Sequence, residues 1–211
     1  MNGFTDRRDA GVVLAAALAH HRGALVLGIP RGGVVVAAVV AEALSGRLDI
    51  AIARKVGSPS NPELAMGAVG VDGVPLLDDS IINALGVDDA TVAAAVQRET
   101  AEALRRLAAY RGDTPPPHIA GETVIVVDDG VATGATMKAV LTEVRRQQPS
   151  TLVCAVPCGP PSTIRELESL ADEVECPLQP MTFMAVGQWY RDFTQTTDAE
   201  VLELLRPGRG S

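Results

Sequence analysis

One stretch constrains the fold more than any other: Val124–Thr136, reading V-I-V-V-D-D-G-V-A-T-G-A-T. Four apolar β-branched residues run directly into two adjacent carboxylates, Asp128 and Asp129, and a small-residue loop with two threonines follows. Met137, Val140, Leu141 and Val144 then recur at helical spacing. The pattern predicts a buried strand, a turn carrying the acid pair, and a loop opening onto a helix N-terminus. Backbone N–H groups at such a terminus lack intrahelical partners and lie at the positive end of the helix dipole, so they suit a phosphate. Gly130 and Gly134 let the backbone approach an anion, and the Thr133 and Thr136 hydroxyls add donors. Two neighbouring acids at a strand tip repel each other unless a ligand uses them. They can accept hydrogen bonds from sugar hydroxyls or hold a cation.

The rest of the chain predicts an α/β fold, a mostly parallel sheet flanked by helices on both faces. A first helix is expected over about Ala10–His20, a buried strand over Ala24–Ile29 and, after Pro30–Gly33, a helix over Val34–Leu44. Leu48–Ala53 reads as the next strand, with Arg54–Lys55 at its tip. Val56–Glu63, rich in turn residues, reads as an exposed, mobile loop. Asp72–Gly73 between Ala68–Val71 and Val74–Leu77 signals a hairpin. An Ala-rich helical region follows over about 80–111, with Asp88–Asp89 as a start signal. Thr151–Val156 predicts another strand, Thr163 and Glu166 a capping box, Val174–Cys176 and Met181–Val186 short strands, and Asp198–Leu205 a helix. The expected organisation is one domain over 1–211, with 80–111 as a helical insertion and 172–211 as a small C-terminal hood or flap.

Net charge and cysteine usage exclude several classes. A net charge of −8 lacks the basic footprint that a nucleic-acid partner needs. Anions must therefore be met by local cations. Three cysteines without CxxC spacing indicate neither a disulfide framework nor a zinc site, and reduced buried thiols suit a cytoplasmic protein. The apolar run Val12–Ala19 lacks signal-peptide flanks, and no stretch has transmembrane length, so no membrane partner is expected.

The motif Val124–Thr136 closely resembles the phosphoribosyl-pyrophosphate (PRPP) binding motif of the type I phosphoribosyltransferases: apolar strand, two acids, then T-G-x-T. The resemblance implies transfer of the 5-phosphoribosyl group from PRPP to a nitrogenous acceptor, a nucleobase by expectation, with release of pyrophosphate and with Mg²⁺ as cofactor. Asp128 and Asp129 resemble the acids that contact the ribose hydroxyls, directly or through Mg²⁺ and water. Gly130, Val131, Ala132, Thr133, Gly134, Ala135 and Thr136 complete the motif as the 5′-phosphate loop. Arg31, Gly32 and Gly33 resemble the family's pyrophosphate loop, placed at the same sheet edge by the switch-point rule. Arg54 and Lys55 form a second cationic pair for the leaving group, and Val56–Glu63 occupies the place of the loop that closes over PRPP. Arg31, Lys55, Asp128 and Asp129 are the candidate catalytic residues. Glu63 is a candidate proton-transfer group.

The acceptor is less well specified. The hypoxanthine–guanine branch carries a third acid where this chain has Ala132, which cannot accept a proton; the pattern leans towards the adenine and related branches. Four of the six aromatics (Phe183, Trp189, Tyr190 and Phe193) cluster near the C-terminus, as a stacking surface, an interface, or local packing of the flap on the core. The Ala-rich helices offer a face on which two copies could pair as a homodimer. Two other functions compete: a PRPP-binding regulatory protein without turnover, and a phosphate-ester hydrolase using the acid pair.

Overall fold

A computed structural model describes residues 3–59, 61 and 64–206. Five parallel strands form the central sheet in the order β2-β1-β6-β7-β8. They are β1 (Leu25–Gly28), β2 (Arg47–Ile50), β6 (Thr123–Val127), β7 (Thr151–Ala155) and β8 (Glu173–Glu175). Leu25 pairs with Val124, and Val124 with Leu152, so the motif strand β6 lies at the centre. Its Val124–Val127 run is fully buried, as a strand covered on both faces must be.

The two-residue period of the strands sorts their side chains into two cores. Leu25, Leu27, Val124, Val126 and Leu152 meet Met137, Val140, Leu141 and Val144 of α5 (Ala135–Arg146), together with Ile164 and Leu167 of α6 (Pro161–Leu167). On the opposite face Val26, Ile125, Val127 and Val153 meet Leu14 of α1 (Arg7–Ala17), Leu18, and Val36, Val40 and Leu44 of α2 (Gly32–Leu44). The mostly parallel sheet with helices on both faces is the architecture expected from the pattern.

A second sheet, antiparallel, has the order β3-β4-β5: Ala53–Gly57, Ala65–Gly70 and Pro75–Leu77. The β4–β5 pairing is the predicted hairpin. The expected strand Leu48–Ala53 is in fact divided. Its first part is β2, and Ala53 opens β3 in the other sheet, so Arg54–Lys55 lie within an antiparallel strand and not at a core-strand tip. Val56 and Gly57, expected in a loop, complete that strand. Ser60, Pro62 and Glu63 lie outside the described residues. The helical region consists of α3 (Asp79–Leu85) and α4 (Asp89–Arg111), the latter capped by Asp88, whose carboxylate accepts from Thr91 N–H. Val92 and Ala95 of α4 pack on Val56, Met66 and Val69 of the small sheet.

Two local expectations are corrected. Helix α1 starts at Arg7, not Ala10, because the Asp6 carboxylate accepts from the N–H groups of Arg8 and Asp9. Met181–Val186 is not a strand; the chain there leads into a 3-10 turn at Val186–Trp189. Within 172–211, β8 is the edge strand of the central sheet. Helix α7 (Asp198–Leu205) is present, with a capping box between Thr197 and Glu200. Among the described residues no helix is long and apolar enough to cross a membrane.

Candidate functional site

The acid pair emerges where β6 ends, outside the carboxyl edge of the parallel sheet, the side on which such sheets bind ligands. The two carboxylates face different surroundings. Asp128 lines an open cleft. Asp129 accepts from Arg7 Nε through Oδ2 at 2.7 Å, and both side chains are largely covered. Arg7 also donates from its terminal nitrogen to the Thr194 carbonyl at 2.7 Å and lies 4.0 Å over the Phe193 ring. The Tyr190 hydroxyl donates to the Asp129 carbonyl, and the Asp129 N–H donates to Asp128 Oδ1 at 2.8 Å. Burial, and then the Asp129 charge, raise Asp128 well above the usual carboxylate range. Burial also raises Asp129, with Arg7 opposing the shift. An Asp128 in this state gains from any cation brought to it.

Glycines at the start of α2 make room for this turn. A Cβ on Gly33 would lie 2.8 Å from both Asp128 Cα and the Val127 carbonyl oxygen, and one on Gly32 would overlap the Asp129 carboxylate. The expected pyrophosphate-loop residues Gly32 and Gly33 thus pack directly beneath the acids. Arg31 points elsewhere. Its guanidinium lies 3.8 Å from Asp198, in an adjoining pocket of about 450 Å³ shared with Arg105, Arg106 and Tyr110.

The loop after the acids is anchored at two points. The Val131 N–H donates to the Cys158 carbonyl at 2.9 Å, so this amide at the start of the expected phosphate loop is committed within the fold. The Thr163 hydroxyl donates to the Ala132 carbonyl at 2.7 Å. That contact overturns the predicted capping box. Pro160 is the N-cap of α6, which puts Thr163 inside the helix with its hydroxyl turned onto the loop. Gly134 adopts φ 73° and caps α5 without a side-chain hydrogen bond, leaving the first-turn amides of α5 open to an anion. Thr133 is exposed, while Ala135 and Thr136 are half-buried.

The cleft, about 940 Å³, is lined by Ile29 and Pro30, by Arg54 and Lys55 of β3, by Asp128 and Thr136, and by α4 between Ala90 and Arg106. Four expected site residues therefore share one cavity although they come from different elements: Arg54 and Lys55 from β3, Asp128 from the turn after β6 and Thr136 from α5. Arg54 is held by Glu99 of α4, with Nε and a terminal nitrogen 3.2 and 3.1 Å from Oε2. Lys55 is exposed. The C-terminal aromatics do not line the cavity. They pack on one another and on Phe4, with ring centroids 5.4 Å apart for Phe4–Tyr190 and 6.1 Å for Phe183–Trp189. The cluster thus packs locally against the N-terminal segment. All three cysteines are free and buried, and burial pushes Cys158 and Cys176 up to about 12, which keeps both thiols protonated.

Sequence reasoning missed Arg7, Glu99, Tyr190 and Thr163. Arg7 and Tyr190 reach the acid turn from 122 and 61 residues away, and no local pattern carries such a pairing.

Residues 12–191 match the family model described as the phosphoribosyl transferase domain. Two Mycobacterium tuberculosis proteins from different strains, whose phosphoribosyl transferase names are themselves provisional, are 44% identical over 204 residues, covering 96% of this chain. That alignment covers 46% of each relative, so the chain spans about half of their length. A crystal structure from Thermus thermophilus superposes with a TM-score of 0.82 at 42% identity, covering 96% of this chain and 97% of that one. A purine phosphoribosyltransferase from Pyrococcus horikoshii shares the fold, with a TM-score of 0.50 at 15% identity over 90% and 93% of the two chains.

Proposed function

The chain belongs to the phosphoribosyl transferase domain family, and from that premise we propose that it transfers the 5-phosphoribosyl group of PRPP to a nitrogenous acceptor, a nucleobase by preference, releasing pyrophosphate. The supporting observation is the single cleft that joins Asp128 and Thr136 of the motif to Arg54 and Lys55 of the small sheet.

In this reading the 5′-phosphate sits on the open amides of Ala132–Thr136, assisted by the Thr133 and Thr136 hydroxyls. Asp128 accepts from the ribose hydroxyls. Asp129 stays on Arg7 and fixes the turn so that Asp128 faces the cleft. The bond from the anomeric carbon to the pyrophosphate oxygen breaks, and a bond from the acceptor nitrogen forms as that nitrogen loses its proton. Lys55 and Arg54 meet the charge gathering on the leaving group, with Arg31 approaching from the neighbouring pocket and Gly32–Gly33 keeping the acids close. Such pre-placed charge is often the largest single contribution to catalysis.

The donor set also fits Mg²⁺. Asp128 offers hard oxygen ligands, its raised carboxyl gains from a nearby cation, and Mg²⁺ binds through few carboxylates plus substrate phosphates. Asp128, with Asp129 through water, would hold it, and bound Mg²⁺ would neutralise pyrophosphate oxygens. We place the reaction in the cytoplasm, in keeping with three buried free thiols. A homodimer would use the exposed Leu85 and Leu104 of the helical region.

A panel of nucleobases and amines, each incubated with PRPP and Mg²⁺, tests the proposal. Pyrophosphate release that depends on one acceptor supports it. PRPP binding without release from any acceptor identifies a sensor, and absence of PRPP binding overturns the site.

A further inference from the structure

Two consecutive histidines turn the same way at the end of the sheet remote from the cleft. His20 and His21 follow α1, and their rings stack 4.0 Å apart with a 41° tilt. His21 Nε2 lies 2.9 Å from one oxygen of Glu173, and His20 Nε2 lies 3.2 Å from the other. The three candidate ligand atoms all fall within 4.8 Å of one another. His21 is 11% exposed and Glu173 31%, so two of the three side chains are held by their surroundings. From these positions we infer that His20, His21 and Glu173 form a binding site for a divalent cation of the zinc class.

The chemistry selects the ion. Imidazole nitrogens with a carboxylate oxygen suit Zn²⁺ and its transition-metal neighbours, whereas Mg²⁺ and Ca²⁺ prefer shells of oxygen. Tetrahedral ligands about 2.05 Å from zinc are about 3.3 Å from each other. Measured to the one oxygen Oε2 of Glu173, His20 Nε2 at 3.4 Å matches that edge and His21 Nε2 at 2.9 Å is a few tenths of an ångström short of it. Three protein ligands leave a fourth position for water.

A second observation points the same way. The strand period puts Glu175 on the same face of β8 as Glu173. Two acids thus share the face of β8 on which Glu173 meets the imidazoles.

The site is separate from the donor cleft. Arg7, the first residue of α1, touches the acid turn, and the length of that 11-residue helix, about 16 Å, separates it from the turn that carries His20. Cation binding there ties the end of α1 to the edge strand β8. Imidazole and carboxylate ligate a metal only when deprotonated, so affinity falls in acid.

Calorimetric titration of the whole chain with ZnCl₂ in Mg²⁺-free buffer tests the site, with Co²⁺ as a visible-absorption probe of coordination. One equivalent of Zn²⁺ is expected, with a metal-dependent rise in melting temperature. His21→Ala and Glu173→Gln should each weaken Zn²⁺ by at least roughly a hundredfold, the upper end of what even outer-sphere partners contribute, and abolish the Co²⁺ bands. Glu173→Gln keeps a hydrogen-bonding side chain, so its metal-free melting should stay close to that of the parent. Asp128→Asn should leave Zn²⁺ binding intact. Undiminished Zn²⁺ affinity in a His20→Ala/His21→Ala/Glu173→Gln chain, or no binding by the parent, would overturn the inference.

Discussion

Arg7 Nε donates to Asp129 Oδ2 at 2.7 Å across 122 residues of chain, and this bond separates the tasks of two adjacent acids. Asp129 is neutralised from behind, while Asp128 is left facing the cleft with a carboxyl that burial and its neighbour both disfavour as an anion.

Arg7→Ala should therefore destabilise the fold by about 2 kcal/mol, less than the 3–5 kcal/mol of a fully buried pair because both groups retain some exposure. Adding Asp129→Asn should recover part of that loss, since no uncompensated charge remains. Urea denaturation of the two single variants and the double variant measures the coupling. Strict additivity would show that the bond contributes nothing.

Glu143 of α5 should make stability fall as pH rises. Its carboxylate accepts from Val71 N–H at 3.2 Å in the β4–β5 turn, where Asp72 and Arg146 also face it. Burial first, and then the Asp72 charge, raise it from 4.5 to about 7. The native state holds the proton across that window while the unfolded chain has released it, so stability declines from pH 4.5 to 7 and levels off above. Glu143→Gln should be more stable than the parent at pH 8 by on the order of 2 kcal/mol, and equal to it below about pH 4. A constant difference at every pH would contradict the assignment.

Thr163→Val removes the hydroxyl that holds the Ala132 carbonyl. About 1 kcal/mol, or roughly fivefold in PRPP affinity, should be lost as the phosphate loop loosens. Helix content by circular dichroism should not change, because Thr163 is not the cap of α6. A shortened helix with unaltered PRPP affinity would restore the capping role.

Lys55 is exposed on the cleft wall, so Lys55→Ala should leave the melting temperature almost unmoved. Turnover should fall by roughly a hundredfold if the ammonium meets developing charge on the leaving group. Steady-state pyrophosphate release, fitted for kcat and KM separately, decides the point; a change confined to KM would make Lys55 a ground-state contact.

The fold was legible where local pattern and tertiary environment agree. Val124–Val127 is apolar because helices cover both faces, and the same burial dictates Leu25–Gly28 and Leu152–Ala155. The β2–β3 division was not legible, because apolar residues continue from Ile50 through Ala53 while the chain changes sheets. Thr163 misled for a related reason: a threonine three residues before a glutamate has the same local form whether it caps a helix or lies within one. Here Pro160 caps the helix and the hydroxyl serves a different element. Of the site, the Asp128–Thr136 stretch could be read directly, and the groups that brace it could not. Arg7 and Tyr190 are adjacent to that stretch only after the sheet has formed.

The segments that brace the acid turn also pair with each other. The Phe4 N–H donates to the Trp189 carbonyl at 2.7 Å, and the Arg191 N–H donates to the Phe4 carbonyl at 2.9 Å. This contact closes a loop of more than 180 residues, whose ordering cost is recovered only once the intervening sheet has condensed. The donor motif is local in sequence, but its frame has among the highest contact order in the molecule. A nascent chain that has emerged only as far as α5 carries every residue of the phosphate loop. It gains a rigid acid turn only after some fifty further residues, when Tyr190 arrives to hold the Asp129 carbonyl.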